Sequence, residues 1–124
     1  MIDTNSNKSI YIQIAETIEN EILTGNLKEN EQAPSTNQFA SLYQINPATA
    51  RKGLNLLVDE GILYKKRGLG MFVKEDSKEI ILKKRQKTFF KNTLPETLKE
   101  AERLNISMNK ITDYIKKEGG DSKC

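Results

Sequence analysis

The chain has 124 residues, 36% hydrophobic and 30% charged, with a net charge of +3, enough for one domain of ordinary size or a small domain with an appended oligomerisation element. It contains no histidine, and its one cysteine is the last residue, Cys124, which removes the commonest general base, the commonest metal ligand, an intrachain disulfide and a cysteine zinc site. Its carboxylates stand beside lysines on what read as solvated helix faces, no nucleophile has a recognisable base and no glycine-rich phosphate loop occurs, so neither catalysis nor a metal or cofactor is expected.

No run is long and apolar enough to cross a membrane and the first seven residues are polar, so neither a span nor a signal peptide is expected and a cytoplasmic location is. Ile10, Ile14, Ile18 and Ile22 recur every four residues, widened by Tyr11, Ala15 and Leu23, with Gly25 as a stop signal. This spacing predicts an amphipathic helix over about Ser9 to Thr24. After a short polar connection, Ser35 reads as an N-cap and Gln38 completes a capping box. The short helix that follows has Phe39, Ala40, Leu42 and Tyr43 as its apolar side.

A third helix starts at Asn46-Pro47. Asn46 is its cap, and Pro47 is the first helical residue, where a missing N–H costs nothing and the fixed φ is suitable. Ala50, Leu54, Leu57 and Val58 form its buried face, and Gly61 supplies a left-handed ending. Ile62 to Arg67 and Met71 to Val73 are two β-favouring runs around Gly68-Leu69-Gly70, which predicts a small hairpin.

Two tightly joined helices and a hairpin have the order of a winged helix-turn-helix. The expected fold is mainly α with a small β-hairpin wing, followed by a short helical dimerisation segment. The expected division is 1–75 for the winged helix and 76–118 for the helical segment, with 119–124 a disordered tail. In the second segment Ile81, Phe89, Phe90, Leu94, Leu98, Ala101 and Leu104 lie at helical spacings, with Pro95 expected to kink or interrupt the helix. Ser107 is placed to cap a last helix carrying Met108, Ile111 and Ile115.

So short a segment seldom buries enough surface to stand alone. Phe89, Phe90, Leu94, Leu98, Leu104, Met108, Ile111 and Ile115 are therefore the expected homodimer interface, the other reading being a cap on the winged helix itself. The Phe89-Phe90 pair is assigned to dimer core in preference to a site for an apolar or amphipathic effector.

Charge is unevenly distributed. Residues 1–45 hold two basic against six acidic residues, a balance of −4, and residues 46–74 hold six basic against two acidic, a balance of +4. Such an island is either a solvated surface or the footprint of a nucleic-acid contact. A helix that enters a major groove needs short residues at its N-terminal end so that the backbone can approach the bases. Asn46, Ala48 and Thr49 meet that need, with Arg51 and Lys52 one turn further on. Arg51 can grip guanine or phosphate through two donors, whereas Lys52 acts more as a point charge. Asn46 and Ser35 are also explained by capping alone. Ser35, Thr36 and Asn37 open the second helix, where free N–H groups suit a phosphate. Lys65, Lys66 and Arg67 precede the wing's glycines, an arrangement for a narrow groove or for a turn. Lys83, Lys84, Arg85 and Lys87 either extend that footprint or form a solvated face.

The run PSTNQFASLYQINPATARKGLNLLVDEGILYKKRGLGMFV, Pro34 to Val73, preceded by IYIQIAETIENEILTGNL, resembles the GntR-type bacterial transcription regulators. The resemblance covers about residues 9 to 74. It rests on Pro-Ser before the second helix, the Glu60-Gly61 break and a Gly-x-Gly-x-Phe-Val wing. NPATARKGL with a short two-helix tail is most similar to the YtrA-like subfamily. The resemblance implies a dimeric DNA-binding repressor of an inverted-repeat operator, often beside a transporter operon, with the third helix in the major groove and the wing tip in the minor groove. Asn37, Asn46, Ala48, Thr49, Arg51, Arg67 and Gly68 fall on the family's DNA-contacting places. This chain has Asn37 and Pro47 where much of the family has arginine, and Leu69 where a basic residue is common. The rival expectation from the residues is a winged-helix module that binds protein partners without sequence-specific DNA binding.

Overall fold

The computed structural model describes residues 2, 3 and 8–119. Six α-helices and one hairpin follow in the order α1 (Ile10–Leu23), α2 (Thr36–Tyr43), α3 (Pro47–Asp59), β1 (Leu63–Lys66), β2 (Gly70–Val73), α4 (Ser77–Thr88), α5 (Leu94–Arg103) and α6 (Met108–Gly119). A π-helical turn, Phe89–Thr93, stands between α4 and α5. The chain divides into two compact units, Met1–Lys84 and Arg85–Cys124. Among the described residues no helix is long and apolar enough to cross a membrane.

In the first unit the four-residue repeat of α1 becomes one buried stripe, with Ile14, Ile18 and Ile22 each at most 4% exposed. Phe39 and Ala40 of α2, Ala50, Leu54 and Leu57 of α3, and Ile62, Leu63 and Val73 around the hairpin complete the core. Each of the larger side chains contributes on the order of 1.5–3 kcal/mol when fully buried. Val58 packs half-buried at the margin. Leu42 does not join this core, because it is 72% exposed. In a helix of eight residues only one narrow face meets the core, and Phe39 and Ala40 occupy it. Ile81, grouped by its spacing with the C-terminal helices, belongs to this core as well.

Two features had no counterpart in the sequence reading. Gly53 is buried in α3, and a Cβ there would lie 2.8 Å from the Tyr11 carbonyl oxygen and from Ile14 Cγ2. The glycine, unfavourable by about 1 kcal/mol in a helix, is what lets α1 and α3 cross this closely. The polar connection before α2 also adds to the hairpin. Asn30 N–H donates to Val73 O at 2.7 Å, Val73 N–H to Glu31 O at 2.9 Å and Ala33 N–H to Met71 O at 2.8 Å. No polar-apolar alternation in that stretch announces a strand.

In the second unit Leu94 N–H donates to Phe89 O, a five-residue reach in place of four, and Pro95 stands in the first turn of α5. The wider turn makes room for a ring that has no N–H to donate and would press on the preceding turn. The α-helical pattern is interrupted here, as the proline suggests, by a π turn and not by a loop. Asn105 takes a positive φ of 58°, and Ser107 Oγ accepts from Lys110 N–H at 3.1 Å as the expected cap of α6. Gly119 is the last residue of α6. The rest of the expected tail, 120–124, lies outside the described residues.

Candidate nucleic-acid interface

The second helix starts as its sequence requires. Gln38 N–H donates to Ser35 Oγ at 3.1 Å, and Ser35 N–H donates to the Gln38 side chain at 2.9 Å, a complete capping box. Asn37 is exposed and Thr36 half-buried. At the far end of α2, Gln44 adopts a left-handed φ of 53°, which turns the chain in two residues toward the start of α3.

Asn46 caps α3 by accepting from Ala48 N–H through Oδ1 at 2.7 Å, with Pro47 next to it as the first helical residue. Capping engages the side-chain oxygen and leaves the amide N–H donors of Asn46 for an outside acceptor. Ala48, Arg51 and Lys52 are exposed and Thr49 is half-buried. Ala48, Arg51, Lys52 and Asn55, at i, i+3, i+4 and i+7, share one face of the helix. With Tyr11, Leu56 and Asp59 they line a shallow groove of about 440 Å³.

Tyr11 is the residue of this groove that its sequence position did not reveal. Lys52 Nζ lies 4.2 Å from the centroid of its ring, a geometry in which the ring's negative face holds the ammonium. Only the close crossing at Gly53 brings the first turn of α1 to this face of α3. The mid-helix glycine was the one available signal of that crossing.

The wing pairs Leu63 with Val73, Tyr64 with Phe72, Lys65 with Met71 and Lys66 with Gly70. Tyr64 and Phe72 stack across the strands at 5.9 Å, and Lys66 Nζ rides over the Phe72 ring at 4.6 Å. Lys65, Lys66, Arg67 and Gly68 are all exposed. Gly68 and Gly70 have φ of 78° and 121°, conformations that side chains strongly disfavour.

The lysine-rich C-terminal half of α4 behaves differently from a free basic face. Lys84 bonds to the Glu19 carboxylate and, at 2.8 Å, to Glu60, which joins α4 to α1 and to the end of α3. Glu19 is 1% exposed and is a correction to the expectation that the carboxylates are solvated. It follows Ile18 on the buried side of α1, and Lys84, distant in sequence, helps to make that burial tolerable.

A three-helix core with a basic hairpin, an exposed second helix start and a slim, capped third helix defines a winged helix-turn-helix DNA-binding domain. Residues 10–73 match the model of the family described as "Bacterial regulatory proteins, gntR family", and the chain belongs to the GntR family of transcription regulators; it is not an enzyme. It is 29% identical over 122 residues to the HTH-type transcriptional repressor YtrA of Bacillus subtilis, covering 98% of this chain and 93% of that protein. A GntR family transcriptional regulator from Listeria monocytogenes superimposes with a TM-score of 0.71 at 28% identity, covering 91% of this chain and 97% of the other. BusR of S. agalactiae, in complex with its busAB-promotor DNA, does so with 0.55 at 28% identity, over 94% of this chain and 60% of that one.

Proposed function

We propose that this chain is a cytoplasmic, homodimeric repressor that binds an inverted-repeat operator, in front of an operon that encodes a transporter. The observation that carries the reading is the exposed face of α3, where a capped, proline-initiated first turn with small side chains leads directly to Arg51 and Lys52. That combination lets the backbone come close to base edges while cations wait one turn further in. The repressor name of the Bacillus relative and the promoter-bound state of BusR support it.

The wing supplies the second contact, with Lys66, Arg67 and the Gly68 backbone in the adjacent minor groove, and Ser35, Thr36 and Asn37 meet phosphate at the start of α2. The exposed apolar surface of the second unit supports the homodimer reading. Phe90, Leu104, Met108 and Ile115 are more than half exposed, and Phe89 is 45% exposed, with Leu94, Leu98 and Ile111 half-buried beside them. A second copy of the same surface would cover them. Two-fold symmetry then presents two α3 helices to half-sites about one helical turn, roughly 34 Å, apart. The aromatic pair Phe89-Phe90, at 5.2 Å and edge-on, belongs to that interface and not to an effector site.

Selection of duplexes from a random-sequence pool by the full chain tests this reading. The expected result is enrichment of one inverted repeat, and Arg51→Ala should bind it roughly 5- to 150-fold more weakly, an effect of about 1–3 kcal/mol for a lost two-donor contact. Equal binding by the variant removes Arg51 from the mechanism. A pool that yields only weak, salt-sensitive, sequence-indifferent binding favours a protein-interaction module.

A further inference from the structure

The tip of the wing carries an apolar side chain. Leu69 is 63% exposed and sits between two positive-φ glycines, next in sequence to the exposed cations Lys65, Lys66 and Arg67. A single exposed leucine is ordinary on a protein surface. The support beneath this one is not. Leu69 N–H donates to Lys66 O at 2.9 Å, and Leu69 O accepts from Gln32 Nε2 at 2.7 Å. Gln32 is itself paired to the hairpin through a bridge with Phe72. A Cβ on Gly70 would lie 2.7 Å from Gln32 Nε2, so the second glycine keeps the space the glutamine needs to reach the tip. Two hydrogen bonds, one from outside the hairpin, thus fix the backbone that displays one leucine.

We propose that Leu69 is an apolar contact on the sugar walls of the DNA minor groove, and that Gln32 is the positioning residue that holds it there. The proposal rests on the DNA-binding reading above. Its physical content is a share of the binding free energy that does not depend on salt. Cations at the wing displace counterions, so losing one changes both affinity and the slope of log affinity against log salt. An apolar side chain packed on deoxyribose carbons displaces water only, and its loss lowers affinity while leaving that slope alone.

The test uses the full chain and the duplex it selects from a random pool, with affinity measured across a salt series. Leu69→Ala should weaken binding roughly three- to tenfold, as for partial burial of one leucine, with an unchanged slope. Leu69→Met should restore binding to within about twofold, because it returns an apolar chain of similar size. Lys66→Ala is the contrasting control, with a slope smaller in magnitude by about 1. Gln32→Ala should mimic Leu69→Ala, and the double variant should be no worse than either single one, since both remove the same contact. Replacing A·T pairs under the wing by G·C, which places an amino group in the minor groove, should abolish the difference between wild type and Leu69→Ala.

Equal affinity of wild type and Leu69→Ala overturns the assignment, as does a change in salt slope. Additive losses in the double variant remove Gln32 from it. A wild-type chain that selects no sequence overturns the DNA-binding reading itself, a result distinct from all of these.

Discussion

The two units of this chain both build on amphipathic helices, to very different ends. Residues 1–84 bury isoleucines, leucines and a phenylalanine from four helices and a hairpin in one core. In residues 85–124 the only buried hydrophobic residue among those described is Ala101 at 6% exposure, while Phe90, Leu104, Met108, Tyr114 and Ile115 are each more than half exposed. Helical periodicity alone does not distinguish these cases. A stripe of apolar residues states that a face will be covered, and says nothing about whether the cover comes from the same chain.

The contrast can be broken from either side. The largest effect is expected in the first unit, where Leu54→Ala should cost about 2–5 kcal/mol through a cavity at a fully buried position, read as a lower urea midpoint. A midpoint unchanged by more than a few tenths of a molar would mean that the core is not cooperative. Next comes the second unit. Ile115→Asp should leave the unfolding of the first unit unchanged and weaken dimerisation by roughly 2–3 kcal/mol, about 30- to 150-fold. Sedimentation at micromolar concentration would then show monomer in place of dimer, and a monomer already in the wild type would sink the interface.

A smaller effect tests the ionic tie of α4 to the winged helix. Burial opposes the charged form of Lys84, but the hydrogen bonds and charges of Glu19 and Glu60 outweigh it and raise its pKa above the ordinary lysine value. A raised pKa of this kind stabilises the fold in full below the unfolded value, about 10.4, and the contribution is lost as pH rises through the folded value. Lys84→Met should therefore cost roughly 1–3 kcal/mol near pH 7, where Glu19 and Glu60 lose the hydrogen bonds of one cation, moderated by the partial exposure of Lys84. The gap from wild type should close only in strongly alkaline solution. Urea melts of both proteins at pH 7, 9 and 11 show whether it does, and a gap that closes below pH 9 contradicts the assignment. The smallest effect belongs to Leu42. At 72% exposure, Leu42→Ser should shift stability by no more than about 0.5 kcal/mol, and a larger loss would place it in a contact that the first unit does not make.

Many of the helix starts and ends were legible in the sequence. Asn46-Pro47 as a helix start, Ser35 with Gln38 as a capping box, Ser107 as the last cap and Gly61 with positive φ depend on neighbours a few residues away, and short-range rules read such neighbours well. Tyr11 beneath Lys52, Gln32 on the wing tip and Glu19 against Lys84 were not legible. Each joins residues separated by at least 37 positions, and nothing local in tyrosine, glutamine or glutamate foretells such a partner. Leu42 failed for a related reason, since an apolar residue at an apolar spacing is buried only if a neighbouring element lies over it.

What the sequence determined by itself was therefore the set of elements, their caps, the wing's turn and the cationic stretch that faces outward, because backbone sterics and local hydrogen bonds settle these within one or two turns of chain. Tertiary structure decided the rest. The crossing of α1 over Gly53, the polar segment recruited beside the hairpin and the burial of a carboxylate under a distant lysine arise where elements meet. Their energies depend on distances that no single segment contains.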